Sequence, residues 1–410
     1  MIIPSIDLFD GKAVQWKQGK EPILEQENVF ELLEKFSLFG EVAIIDLNAA
    51  TGKGDNRALI TEMLKRHPCR VGGGIRDIDT AKYYIKAGAT KLILGTACRE
   101  DWVKKIHKNA LIFSIDARGD QWTTHGWQED SELTIKELIA PLSENCSEFL
   151  YTQVEKEGMM QGLDKERIEQ VLKLSPIPVT IAGGVTNLDD VSYLSRLGAN
   201  MQIGMALYSG AINLNDSLLA CLDFKKHPLI PTVVQDIYSK DILMLAYSNQ
   251  ESITAAIKER RGIFYSRSRQ ALWKKGETSG HTQALKCIDF DCDADTLVFQ
   301  VEQTGNACHL NRASCFPRNE TPFDLTELDK VLDDRKDNAK PGSYTATLFA
   351  DASLQHAKLR EECEELIEAE TFEDVRWEAA DLLYFTLVNA KAKGVGLQDI
   401  INELRSRHNG

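Results

Sequence analysis

The chain has 410 residues, 43% of them hydrophobic, enough for two or three domains with separate cores. Its 62 acidic and 48 basic residues leave a net charge of −14, a field that argues against broad nucleic-acid or membrane-surface binding yet permits a small phosphorylated ligand in a basic pocket or on a metal. Residues 1–15 lack a leader pattern, no apolar run nears the roughly 20 residues of a membrane helix, and nine scattered cysteines read as reduced thiols, so a cytoplasmic multidomain protein is expected.

Residues 1–222 alternate apolar runs (VAIID, TKLILG, ALIFSID, SEFLYT, PVTIAGG, ANMQIG) with amphipathic stretches, a pattern of parallel βαβ units. The segment also repeats itself. SIDLFDG at 5–11 returns as SIDARGD at 114–120, and GGGIRDIDTAKYYIKAGA at 72–89 returns as AGGVTNLDDVSYLSRLGA at 182–199. Two half-barrels joined into a (βα)8 TIM barrel explain such a repeat, whereas a doubly wound sheet, the alternative, does not call for equivalent halves. From about 226 the texture turns β-rich, with one helix near 250–260. Residues 317–343 read as a linker and leading helix, and 344–410 as all-helical with acidic faces.

In a parallel barrel the chemistry sits at the C-terminal ends of strands, and Asp7 and Asp116 fall there at equivalent positions of the two halves. Each by itself fits a turn cap; as a pair across one mouth they fit a general base and a general acid. Gly73 and Gly74, and Gly183 and Gly184, follow strands and precede helices, with Gly95 and Gly204 closing the next strands. Backbone N–H groups there suit a phosphate at each end of a ligand. The strings PSIDLFDGK, IIDLNAA, GGGIRD, SIDARG with GWQED, TQVEKEG and AGGV with IGMALYSG resemble ProFAR isomerase of histidine biosynthesis over 1–222. That resemblance implies an Amadori rearrangement of a bisphosphorylated aminoaldose without metal or cofactor, with Asp7 as base and Asp116 as acid. Three positions depart from the family: Gln15 and Met205 stand for arginines and Glu157 for an aspartate.

Next in the chain, Asp291, Asp293 and Asp295 alternate with Cys292 and Ala294, so an extended chain puts three carboxylates on one face, suited to Mg²⁺, and the thiol on the other. Cys308 and Cys315 follow, and three thiolates with an open fourth position suit catalytic zinc; buried cysteines beside a solvated acidic turn are the alternative. VVQDIYSKDILMLAYSN, FYSRSRQALWKKGETSGH, DFDCDAD, VEQTGNACH and SCF resemble phosphoribosyl-AMP cyclohydrolase across 227–316. The resemblance implies opening of the adenine N1–C6 bond by zinc-activated water. It assigns Zn²⁺ to Cys292, Cys308 and Cys315 and Mg²⁺ to Asp291, Asp293 and Asp295, with the cysteines of one site drawn from two subunits of a homodimer. His281 and His309 are candidate proton shuttles, and the basic run at 266–275, including Lys274 and Lys275, offers cations to substrate phosphates.

In the last segment Glu361 and Glu365, with Glu362 beside them, and then Glu378 and Asp381 stack carboxylates at helical spacing. Leu366, Ile367, Leu382, Leu383, Phe385 and Leu387 read as core faces. A charge run is ordinarily a solvated face; here EExxE…ExxD with SYTATL upstream resembles phosphoribosyl-ATP pyrophosphohydrolase, an all-α, MazG-like fold that uses Mg²⁺ on an ATP-derived nucleotide. The three resemblances name successive steps in reverse order along the chain, implying a multifunctional enzyme acting on small phosphorylated nucleotides. Two other readings stay open at this point: a bifunctional cyclohydrolase/pyrophosphohydrolase whose barrel is a scaffold, and a barrel that also accepts phosphoribosylanthranilate.

Overall fold

In the computed structural model, which describes residues 1–17, 21–124, 129–156, 159–316, 323–339 and 342–407, eight strands of the first half pair in parallel around a closed ring. They are β1 (Ile2–Phe9), β2 (Val42–Asp46), β3 (Cys69–Gly72), β4 (Leu92–Leu94), β5 (Leu111–Arg118), β6 (Glu148–Gln153), β7 (Val179–Ala182) and β8 (Asn200–Ile203). The β4–β5 pairing joins the two halves on one side and β8–β1 on the other, so the ring has no edge. Helices cover the outside while side chains fill the inside, burying both strand faces; hence the continuous apolar runs. The halves repeat in detail. Asp77 caps the helix Ile78–Lys86 through the Thr80 N–H, and Asn187 caps Leu188–Arg196 through the Asp190 N–H.

Where the strands begin, Arg70 of β3 is 2% exposed and is held by Glu41, by Glu148 at 2.6 Å and, through Glu148, by Lys91 at 2.9 Å. A buried guanidinium demands such partners, and this cluster closes the floor. Where the strands end, antiparallel hairpins extend β1 (Lys12–Lys17 with Glu21–Gln26) and β5 (Gln121–Thr124 with Glu129–Thr134).

The next strands, β9 (Ile230–Asp236), β10 (Ile242–Ser248), β11 (Ile263–Ser266), β12 (Ala271–Lys274), β13 (Gln283–Phe290) and β14 (Leu297–Gln303), form a sheet of order β10-β9-β14-β13 and a β11–β12 ribbon. The helix Gln250–Glu259 lies where expected. This β-rich part shares a continuous apolar core with the barrel. Its β13 packs on Ser37–Phe39, and Arg260 donates to the Glu34 carbonyl at 3.1 Å. These contacts lie just before β2, on the floor side.

The chain divides into two compact units, residues 1–320 with 405–410, and residues 321–404. The second contains helices α1 (Leu325–Asp337), α2 (Tyr344–Ala350), α3 (Ala352–Glu368) and α4 (Phe372–Ala392), with Leu332, Leu348, Phe385, Leu387 and Val388 as its core. Among the described residues no helix is long and apolar enough to cross a membrane.

Candidate functional sites

The barrel mouth encloses a cavity of about 640 Å³ whose lining includes Asp7, Asp116, Gly73, Gly74, Gly95, Gly183, Gly184 and Gly204. The twin SID strings build twin motifs: the Ser5 hydroxyl donates to Asp7 Oδ1 at 2.8 Å and the Ser114 hydroxyl to Asp116 Oδ1 at 2.9 Å. In strands a residue and its second neighbour share a face, which is why each serine reaches its aspartate. Burial pushes the Asp7 carboxyl up to about 6, against a smaller downward pull from Ser5. The serines escaped the sequence reading, although their repeated placement was the available signal.

The glycines divide into two kinds. Gly73 and Gly74 have φ of +92° and +69°, and a Cβ on them would lie 2.3 Å from the Asp46 carbonyl oxygen and 2.4 Å from the Ala49 side chain. Packing against that loop therefore requires them to be glycine, in addition to any approach of a ligand. Gly95 and Gly204 instead begin the short helical turns Thr96–Arg99 and Met205–Tyr208, neither of which has a side-chain cap. Arg76 also lines the cavity, donating to the carbonyls of Ala49 at 3.0 Å and Ala50 at 2.8 Å, and Lys156 lines it from the second half. Gln15 and Met205 line it too, whereas Glu157 lies outside the described residues.

In the β-rich part the oxygens of Asp291, Asp293 and Asp295 converge to within 4.8 Å of one another. They do so in a turn, not in the extended chain expected. Asp291 Oδ1 accepts from the N–H groups of Asp295 at 3.0 Å and Thr296 at 3.1 Å, and Ala294 has φ +57°. The antiparallel β13 and β14 must be joined across these few residues, so the chain reverses and strand alternation cannot hold.

Cys308 and Cys315 lie together; burial first, then the neighbouring Cys308, push the Cys315 thiol up, against a downward pull from Lys275. The Leu310 N–H points at Cys308 Sγ at 3.5 Å. Among the described residues Cys292, which is exposed, does not join these two in a three-ligand cluster. His281 is held by a 3.1 Å contact from Nδ1 to the Asn306 carbonyl, while His309 is exposed. The two lysines of the basic run differ: Lys274 is ion-paired with Glu259, and Lys275 is buried beside the cysteines, where burial lowers its pKa.

In the helical unit two carboxylate groups, Glu361–Glu362–Glu365 and Glu362–Glu378–Asp381, share the buried Glu362. Burial and the charges of Glu365, Glu362 and Asp381 push the Glu378 carboxyl up, and its enclosed Oε2 has no hydrogen-bond partner. Lys358, which the sequence reading passed over, is 2.8 Å from both Glu361 and Glu362 one helical turn away. The expected core faces are corrected: Ile367 is 77% and Leu383 42% exposed. Beside the apolar core the interior also holds Gln355, Glu362, Asn389 and Lys391.

The chain matches the family described as histidine biosynthesis protein over residues 1–213, phosphoribosyl-AMP cyclohydrolase over 244–317 and phosphoribosyl-ATP pyrophosphohydrolase over 325–408. It is 43% identical over 200 residues to a histidine biosynthesis bifunctional protein of Bacillus subtilis, an alignment covering 46% of this chain and 95% of that protein. A similar bifunctional protein of Caldanaerobacter subterraneus is 42% identical over 46% of this chain and 96% of its own length. A histidine biosynthesis trifunctional protein of Kluyveromyces lactis is 45% identical over 44% of this chain, and only 22% of that longer protein is covered.

Proposed function

Because the chain belongs to the histidine biosynthesis protein family in its barrel and to the cyclohydrolase and pyrophosphohydrolase families beyond it, we propose that it carries three successive activities. These are hydrolysis of phosphoribosyl-ATP to phosphoribosyl-AMP and pyrophosphate, opening of the adenine ring to ProFAR, and isomerisation of ProFAR to the aminoketose.

The observation that carries the isomerase reading is the pair of serine-held aspartates facing one cavity. An aminoaldose becomes an aminoketose when a proton reaches the ring oxygen, the ring opens, and the C2 proton is removed and returned at C1. With a pKa of about 6, Asp7 is mostly ionised at neutral pH and near the optimum for a base. Asp116 is assigned the acid role. The uncapped N–H groups after Gly95 and Gly204, with the backbone at Gly73, Gly74, Gly183 and Gly184, receive the two phosphates.

For the ring-opening step, Cys308 and Cys315 with a thiol from Cys292 suit Zn²⁺, which supplies a nucleophilic water at neutral pH when bound. Asp291, Asp293 and Asp295 offer only oxygen and suit Mg²⁺. His281, fixed through Nδ1, and His309 are the candidates to move protons there. Cys292 of a second copy completes the thiol set in a homodimer, a reading supported by Leu310, whose N–H meets Cys308, and Phe316, next to Cys315, which are 60% and 42% exposed. In the helical unit Glu361, Glu362, Glu365, Glu378 and Asp381 suit Mg²⁺. The enclosed Glu378 Oε2, with burial and then Glu365, Glu362 and Asp381 raising the pKa of its carboxyl, fits a cation held among these oxygens.

The deciding test for the barrel is purified chain supplied with ProFAR alone. Conversion to the aminoketose that is lost in Asp7→Asn and in Asp116→Asn supports the reading. No conversion by the unmodified chain overturns it.

A further inference from the structure

Gln15, conspicuous in the sequence as an uncharged residue where an arginine was expected, is 2% exposed on the hairpin strand that pairs with β1. Its amide has two neighbours. Nε2 lies 3.5 Å from Asp7 Oδ2, the outer limit of a hydrogen bond, while Ser5 donates to Oδ1 at 2.8 Å. Each oxygen of the carboxylate is thus approached by a neutral donor from a different strand. At the other end, Gln15 Oε1 sits so near Gly204 that a Cβ there would lie 2.7 Å from it. One amide spans the carboxylate and the backbone that opens the Met205–Tyr208 turn.

We propose that Gln15 is a positioning residue for the isomerisation, an uncharged clamp that orients the Asp7 carboxylate and sets it in register with the phosphate cup at Gly204. The inference rests on the isomerase reading above. A side chain in contact with the carboxylate orients it whether or not it is charged, but the charge decides how basic the carboxylate stays. A cation at this distance pulls a carboxylic acid down by about 1–3 pKa units, whereas an amide contributes a hydrogen bond alone.

The surrounding charges are already placed. Tyr208, packed on the same side, keeps its phenol protonated through burial and through Asp7 and donates to the Ser5 carbonyl at 3.3 Å. Asp46 of the adjacent β2 is engaged by the Ala49 and Asn56 N–H groups. Asp116, Glu100, Arg76 and Lys156 stand on the walls of the shared cavity.

Two variants of the full chain test the clamp. Gln15→Met keeps length and volume without the donor; the expected result is a kcat for isomerisation about tenfold or more lower with KM nearly unchanged. Gln15→Lys is expected to move the acid limb of kcat/KM, and the Asp7 titration, down by about one unit or more. Carboxyl-carbon NMR, with Asp7 identified by its absence in Asp7→Asn, follows that titration without turnover. If the unmodified chain fails to isomerise ProFAR, the isomerase reading falls while the titration still judges the contact. A Gln15→Met effect confined to KM, or an Asp7 titration unmoved in Gln15→Lys, overturns the proposal.

Discussion

The barrel's base sits where folding would rather have a neutral group, and the consequence is measurable in Asp7→Asn. Burial raises the Asp7 pKa from 3.8 to about 6, a shift of roughly 2 units, and each unit corresponds to about 1.4 kcal/mol. Between these two values the folded state holds a proton that the unfolded state has lost, so stability falls as pH rises through the window. Above about pH 6 the folded protein carries the whole cost of a buried charge, about 3 kcal/mol. Asparagine keeps the shape and can still accept from Ser5, but it carries no charge. The variant is therefore expected to lose isomerisation and to gain about 1–3 kcal/mol of barrel stability at pH 8, the gain shrinking to near zero below pH 4. Since a chain of several domains does not unfold in one step, the assay is hydrogen exchange by mass spectrometry on peptides covering β1 and β5, at several pH values, for both proteins. Equal protection at pH 8, or a difference that does not change with pH, would refute the reasoning.

Three further outcomes are expected. Cys292→Ser and Cys308→Ser each abolish ring opening when alone and leave pyrophosphate release intact; mixed and allowed to exchange subunits, they recover part of it, since one mixed site keeps all three thiols. Recovery measured by ProFAR absorbance checks this, and none would place the thiols within one chain. Glu378→Gln lowers pyrophosphate release by about two orders of magnitude with a higher requirement for Mg²⁺, checked by a phosphate-coupled assay over a magnesium series; unchanged magnesium dependence would remove Glu378 from the ligand set. Because the β-rich part packs near Glu34 and Ser37–Phe39 at the barrel floor while the cavity opens at the other end, ProFAR is expected to pass between these sites through solvent. Unlabelled ProFAR added to a labelled run should dilute the label in the aminoketose fully, and undiluted label would show direct transfer.

Much of this was legible in the sequence because burial writes itself into composition. Barrel strands covered on both faces must be apolar throughout, and the internal repeat gave Asp7 and Asp116 matching places. The hairpins that carry Gln15 and Trp122 over the mouth were not legible, since short half-solvated strands leave only a weak alternation. At Asp291–Asp295 the right residues were chosen for the wrong geometry: convergence comes from a turn pinned by Asp291's own carboxylate. Ile367 and Leu383 misled for a different reason. Periodicity assumes an apolar interior, and this helical unit places Glu362, Gln355 and Asn389 inside. The place of Cys292, apart from Cys308 and Cys315, reflects folding in three dimensions that spacing along a chain does not encode.

The central claim is that three sites on one chain work in succession, and supplying phosphoribosyl-ATP with Mg²⁺ and Zn²⁺ tests it most directly. The products should appear in order, phosphoribosyl-AMP with pyrophosphate, then ProFAR, then the aminoketose as the end product. A run that stops with ProFAR accumulating would contradict the account, leaving two working enzymes attached to a barrel that does no chemistry on their product.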